Sequence, residues 1–496
     1  MRPTLSSSLL MLLTLSCAPS GTRAPVTDAT PTELAARAIA AMGGADALRS
    51  AVTTAEFNRA TFALGQEETP QSPPRATVAF GTLIVDWAGN RRALTQESRA
   101  VNGNVTRQRQ VITDRIGMNE VNGNPGPMPP GFVAGQLRAL ETEPHRILLA
   151  VQDAPDGATP LPAQEWRGEM MDGLQTRVGG DDVEVWFDRL TGLPVVAVTV
   201  TDDGVLGDRT TETWFTRWRA ADGPTVITLP WQTDVIVNGR LASHTIVTAL
   251  RTDPPEAATF AIPAAIREQA TPAPESAPAS PPAVTVSLVE LAPGVWRAEG
   301  GSHHSLVVDQ GDGLLVVEAP QNAGRSTAVL DTLAARFPDK PVKAVVNSHH
   351  HWDHSGGVRG VLARGVPVIT HVRNVMFLEG IGQNQKSVTP DALDERSPLP
   401  AITGVTDTII TGAGGSDVHL LSLPTTHVEG ILAAWVPAAK LLFVVDVLSP
   451  GAILPQLGSA EVEALLMARG LDAERIVGGH GGIANRADLQ AAASQR

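Results

Sequence analysis

Residues 268–283 read EQATPAPESAPASPPA, and no other stretch constrains the fold of this chain as strongly. Proline, alanine and serine leave it without aromatics and with almost no aliphatics, so it has nothing to pack and is expected to run extended. The chain is therefore expected to hold two separately cored regions, about residues 27–265 and 286–496, joined by a linker over 268–285. With 496 residues, 43% hydrophobic and 18% charged, each part is large enough to bury a core. The formal charge of −14 disfavours a nucleic-acid partner, because a phosphate backbone demands a basic surface.

The first 24 residues have the order of a secretory signal: Arg2, a short apolar run over residues 9–15, then Ser16 and Cys17. The run is too short to span a bilayer. Cys17 is the only cysteine of the chain and stands where a bacterial lipoprotein signal carries its lipidated residue. An exported, periplasmic protein is the resulting expectation, with a lipid anchor through Cys17 and an outer-membrane address favoured by Ala18. No internal disulfide can form, and no thiolate outside the signal can bind metal or attack a substrate.

Residues 32–42 place Leu34, Ala35, Ala38, Ile39 and Met42 on one helical face, with Thr32 as the expected N-cap. The rest of the N-terminal region reads mostly as strands rich in Val, Thr, Ile and Trp, separated by Gly and Asp turns. A curved antiparallel sheet with a helix over it is the expected N-terminal architecture. The run VEVWFDRLTGLPVVAVTV, the run TWFTRWRAADGPTVITLPW and the closing FAIP resemble the sheet-rich domains of periplasmic lipoprotein carriers and sorting-like proteins. That resemblance implies a concave face able to hold a lipid or other hydrophobic ligand, with Trp186, Phe187, Trp214, Phe215 and Trp218 as candidates for it. The alternative is that these aromatics are core. His145 and His244 read as surface or hydrogen-bonded residues.

Ten of the twelve histidines lie from His303 onward, which places the chemistry in the C-terminal part. There a buried strand pattern, KAVVNS, runs straight into His349-His350-His351-Trp352-Asp353-His354. In a loop after a strand, His349 and His351 alternate and point the same way, while Asp353 and His354 enter a helix and turn to a second point. Such a pattern suits two cations bound by imidazole and carboxylate, at the strand end where open α/β sheets bind ligands.

With SLPTTHVEG around His427, LLFVVD ending in Asp446 and IVGGHGG around His480, this region resembles the metallo-β-lactamase superfamily over nearly all of residues 286–496. The resemblance implies a two-domain α+β and α/β protein whose C-terminal part is a four-layered αββα sandwich. It implies one Zn²⁺ on His349, His351 and His427, a second on Asp353, His354 and His480, and Asp446 bridging them or orienting a ligand. Zinc is the expected metal, two ions per chain, with iron or manganese less expected. Two cations lower the pKa of a shared water toward ~7, so the expected reaction is hydrolysis by a metal-held hydroxide that Asp353 orients. A small-molecule ester, lactam or related compound is the expected substrate, and a true β-lactamase is one form of it. The absence of tyrosine, the 16 residues after His480 and the 73-position step from His354 to His427 weigh against lactonase, glyoxalase-type and nuclease readings. The alternative from another class is a membrane-tethered module that binds a lipid or hydrophobic ligand, with the metal region secondary. His350 is expected to point away from the metals, His303 and His304 to lie at the site mouth, His371 to close a strand, and Glu318 to be structural.

Overall fold

The computed structural model describes residues 29–101, 103–275, 284–451 and 454–494. The signal segment with Cys17 and part of the proline-rich stretch lie outside them. The first helix, Pro31–Ala41, buries Leu34, Ala35, Ala38 and Ile39, but its cap is Thr30 and not Thr32. Pro31 takes the first helical position, where its missing N–H costs nothing. Thr30 Oγ1 then accepts the Glu33 N–H (3.2 Å) while Glu33 Oε2 accepts the Thr30 N–H (2.8 Å), a reciprocal capping box.

Thirteen strands form one antiparallel sheet in the N-terminal region. Strand β1 (Val52–Ala63) pairs along its full length with β2 (Arg75–Asp86) and, on its other side, with Arg240–Arg251, so the first and last parts of the sheet meet in its middle. Phe187 and Phe215 pack in a core with Leu34 and Ile39 of the first helix, with Trp218 against it. Trp186 and Trp214 pack with Met171 and Val196 in a second, smaller cluster. The aromatics named from sequence are therefore core, as half-buried strands beneath a helix require.

The helices Pro130–Glu141 and Pro144–Asp153 contribute to a groove of about 410 Å³ over β1, β2 and the last strands of the sheet. Phe57, Leu83, Val85 and Trp87 supply apolar lining, and Arg59 and Glu143 also face it. Burial pushes the Glu143 carboxyl up to about 7 against the pull of Arg59. His145, expected at the surface or in a hydrogen bond, is instead buried with neither ring nitrogen partnered. Its ring stands edge-on to Trp87 with centroids 4.3 Å apart. Burial, and then the charge of Arg146, pushes the imidazole down to about 3. A histidine held neutral in the fold and free to protonate when unfolded stabilises the protein above pH ~6.5 and loses that contribution as pH falls toward ~3. The loss should reach on the order of 3 kcal/mol at about pH 4. A His145→Leu variant followed by urea unfolding against pH should lack that slope.

The C-terminal region builds a seven-stranded and a six-stranded sheet. One core joins them, with Leu306, Val308 and Val346 from the first meeting Leu420, Trp435 and Phe443 from the second. The far face of the first sheet packs Val307, Val316 and Val345 against Val329 and Leu333 of the helix Ala323–Arg336. Leu314–Val317, Val342–Val346 and Val368–His371 are parallel neighbours, so their C-terminal ends open on one side. Two turns of the N-terminal sheet reach this region: residues 64–74, between β1 and β2, and residues 203–207, whose Val205 is buried in the C-terminal core. Among the described residues no helix is long and apolar enough to cross a membrane.

Candidate metal centre

The strand Val342–Val346 ends in buried residues, and the chain turns at Asn347, whose N–H donates to the Ile369 carbonyl (2.8 Å). Asn347 Nδ2 donates to the His354 carbonyl (3.1 Å), and Ser355 Oγ donates to those of His350 and His351 (3.1 and 2.9 Å). These bonds tie the loop to the short helix Trp352–Ser355 and fix the directions of its side chains. His427 follows the strand Val418–Ser422, Asp446 follows Leu441–Val444, and His480 follows Arg475–Gly478.

The structure brings all seven residues named from sequence together in two sets. His349, His351, His427 and Asp446 form one; Asp353, His354 and His480 form the other with His303, and within each set the donor atoms lie within 4.8 Å of one another. Asp446 faces both sets. Its Oδ2 is 3.0 Å from His427 Nε2 and 3.4 Å from His349 Nε2; its Oδ1 is 2.8 Å from His354 Nε2 and 2.7 Å from His480 Nε2. Imidazole nitrogens also face each other in pairs, His427 Nε2 with His351 Nδ1 and His354 Nε2 with His480 Nε2, both at 3.1 Å. His349 Nε2 is buried without a hydrogen bond. Lone pairs converging on two points, with a buried nitrogen left over, fit a pair of divalent cations of the zinc type.

The hydrogen bonds on the outer ring nitrogens agree with that. The His351 Nε2–H donates to the Glu67 carbonyl (3.0 Å), which leaves Nδ1 to face its set. His354 Nδ1 meets Glu318 Oε2 at 2.5 Å, which leaves Nε2 to face the other. A partner on the outer nitrogen fixes the tautomer that presents the inner lone pair. The sequence pattern of the metallo-beta-lactamase superfamily matches residues 298–480. The C-terminal region belongs to the metallo-beta-lactamase superfamily.

Two curated relatives lie in different activities. The chain is 36% identical over 76 residues to an (R)-specific secondary-alkylsulfatase of Pseudomonas sp., spanning 15% of this chain and 12% of that protein. It is 23% identical over 205 residues to the 2,4-dinitroanisole O-demethylase subunit alpha of Nocardioides sp., spanning 40% of this chain and 58% of the subunit. The chain thus covers less than two thirds of either. Among solved structures, a metallo-beta-lactamase from Pontibacter korlensis aligns at 18% identity and a TM-score of 0.34, over 42% of this chain and 98% of that one.

Around this superfamily centre the electrostatics favour anions that hold metal. Burial alone would raise the Asp446 carboxyl, but the imidazoles of His349, His351, His354 and His427 gathered around it hold it far below the usual carboxylate range. Burial would likewise raise Asp353; His303, the charge of His354 and Gln66 together hold it low. His350 and His371 fall where the sequence placed them. His350 is buried outside both sets with its ring near Phe377. His371 ends its strand and caps the next turn, accepting the Arg373 N–H (3.3 Å). His303 pairs through its backbone with His480, and its Nε2 is 3.4 Å from Asp353 Oδ2, closer to the chemistry than a mouth position.

Two contributions had no sequence signal. Glu318, read as structural, reaches His354 directly and also accepts the Ser348 N–H (2.8 Å). Gln66, from the N-terminal sheet, donates from Nε2 to Asp353 Oδ1 (2.9 Å).

Proposed function

We propose that this chain is an exported metal-dependent hydrolase whose C-terminal region is a four-layered αββα sandwich holding two zinc ions. The single observation that carries the reading is Asp446, which faces two convergent donor sets with one oxygen each. His349, His351 and His427 would hold one ion, Asp353, His354 and His480 the other, and Asp446 would bridge them. When bound, two such cations supply water ionised near neutral pH and polarise the oxygen of the bond to be cut. Asp353, with 40% of its side chain exposed, is placed to accept a hydrogen bond from that water and orient it. His303 beside it is placed to hand a proton to the leaving group. The likeness to alkylsulfatases adds sulfate esters to the carboxylic esters and lactams as substrate classes. Export through the N-terminal segment and lipidation of Cys17 belong to the same reading.

Metal analysis of the full-length chain, followed by a chromogenic panel of carboxylic ester, sulfate ester, phosphodiester and β-lactam, tests it. About two zinc ions per chain are expected, together with hydrolysis of at least one class that a chelator abolishes and zinc restores. A chain that takes up no zinc and hydrolyses nothing would sink the reading.

The groove favours a second role for the N-terminal sheet, holding the apolar tail of a substrate. Its lining runs from buried Thr53 to exposed Thr61 along β1, so it opens toward the turn that touches the metal centre. Leu83→Trp, which fills the groove, should raise KM for a dodecyl ester severalfold and leave that for an acetyl ester unaltered. Equal KM changes for both esters would remove the groove from substrate binding.

A further inference from the structure

The metal centre is not built by the C-terminal region alone. The turn over residues 64–74 lies against two of the loops that carry its histidines. The Trp352 N–H donates to the Gly65 carbonyl (3.1 Å), and the Glu429 N–H donates to that of Glu68 (2.9 Å). Arg75 Nη2 donates to the His427 carbonyl (2.6 Å) while pairing with Glu68 Oε2 (2.7 Å). Gln66 holds Asp353 Oδ1, and the Glu67 carbonyl takes the His351 Nε2–H.

Local features hold the turn in that place. Gly65 has φ +79°, and a Cβ there would lie 2.2 Å from Cδ2 of Trp352, so a residue with a side chain would push the turn off the loop. The Glu67 side chain is buried and pairs with Arg240 at the start of the neighbouring strand. The second turn fixes the orientation independently. Val205 sits in the C-terminal core, Asn384 Nδ2 donates to its carbonyl (2.7 Å), and the Asp208 N–H donates to the Gln385 carbonyl (2.7 Å). Docking at two points holds the tip of the first turn in a defined place.

We propose that the β1–β2 turn is a working part of the metal centre. Gln66 positions the carboxylate of Asp353, and the Glu67 carbonyl fixes the tautomer of His351, so metal affinity depends on a segment nearly three hundred residues upstream of the ligands. This role rests on the dinuclear reading of the site. Its physical basis is general: a ligating imidazole or carboxylate loses affinity when the group that orients it from outside is removed. Both Gln66 and Glu67 are positioning residues, since neither reaches the metal positions.

The test uses the full-length chain. Zinc affinity is measured by competition with a chromophoric chelator, and ligand geometry by the visible spectrum of the cobalt-loaded protein, for Gln66→Ala, Gly65→Ala and the control Gln71→Ala. Gln71 is exposed on the same turn, and its backbone N–H meets only Thr69 Oγ1 among the described residues. Gln66→Ala should weaken zinc about 10-fold and shift the cobalt bands, Gly65→Ala should do so by about 10- to 100-fold, and Gln71→Ala should match the parent. Far-ultraviolet circular dichroism establishes folding; if Gly65→Ala does not fold, Gln66→Ala alone decides. Parent-like affinity and spectra in the folded variants, beside a parent that binds zinc, would overturn this inference and leave the hydrolase reading standing. A parent that binds no zinc would overturn both.

Discussion

Replacing His349 by alanine should, on the dinuclear reading proposed above, abolish binding of one of two zinc ions and lower hydrolysis by roughly a hundred- to a thousandfold while the chain stays folded. The side chain is fully buried, its Nδ1 lies 2.9 Å from Ser348 Oγ, and its Nε2 is aimed at Asp446 with no hydrogen bond made. A buried nitrogen left without a partner contributes little to folding, because burying an unsatisfied polar group opposes it. Its loss therefore separates function from stability better than loss of Asp446, on which five imidazoles converge. The size of the drop reflects removal of a group that places positive charge where negative charge develops. Elemental analysis should fall from about two zinc ions to about one. Full hydrolysis with one zinc ion would show that the His349 set is dispensable.

Glu318→Gln should be nearly as damaging, although Glu318 touches no metal position. Its carboxylate accepts from Ser348 N–H and from His354 Nδ1–H at once. An amide of the same shape can accept only one of these. If its oxygen stays on Ser348, its NH₂ faces His354 Nδ1 and forces the ring proton onto Nε2, the nitrogen that must bind metal. Zinc affinity is expected to fall about 10- to 100-fold. The parent protein should also bind zinc more weakly as pH falls. Burial would depress His354, but Glu318 and Asp446 raise it to about 10 in the metal-free chain, so zinc must displace its proton at every pH below that. Competition titrations across the neutral range measure both effects, and a flat pH profile would show that His354 is no ligand.

The centre was legible in the sequence where its residues are close together or end strands. The alternation from His349 to His354 is a local pattern, and His427, Asp446 and His480 each come after a short buried run. Glu318 left no such trace, because its contact with His354 spans 36 positions and its left-handed backbone, φ +87°, obeys no pattern of residue types. Gln66 was hidden further, since its partner lies 287 positions away and one amide in a turn resembles any other. Thr32 appeared to cap the first helix because apolar spacing fixes the buried face and leaves the starting residue open. His145 read as a surface or hydrogen-bonded residue because the Trp87 ring that packs on it comes from a distant strand end.

Val205 has a consequence for engineering. Its side chain leaves one polypeptide lobe to fill a hole in the other, so cutting the chain within the proline-rich stretch would strip an apolar surface on each product at once. Grafting the C-terminal lobe onto a foreign scaffold should therefore yield insoluble material unless residues 64–74 and 203–207 travel with it or a substitute plug is designed. Ala273 is packed in the N-terminal core, but insertions in the proline-rich tether beyond Glu275 should be harmless by comparison, because the lobes find each other through those two turns and not through the length of chain between them.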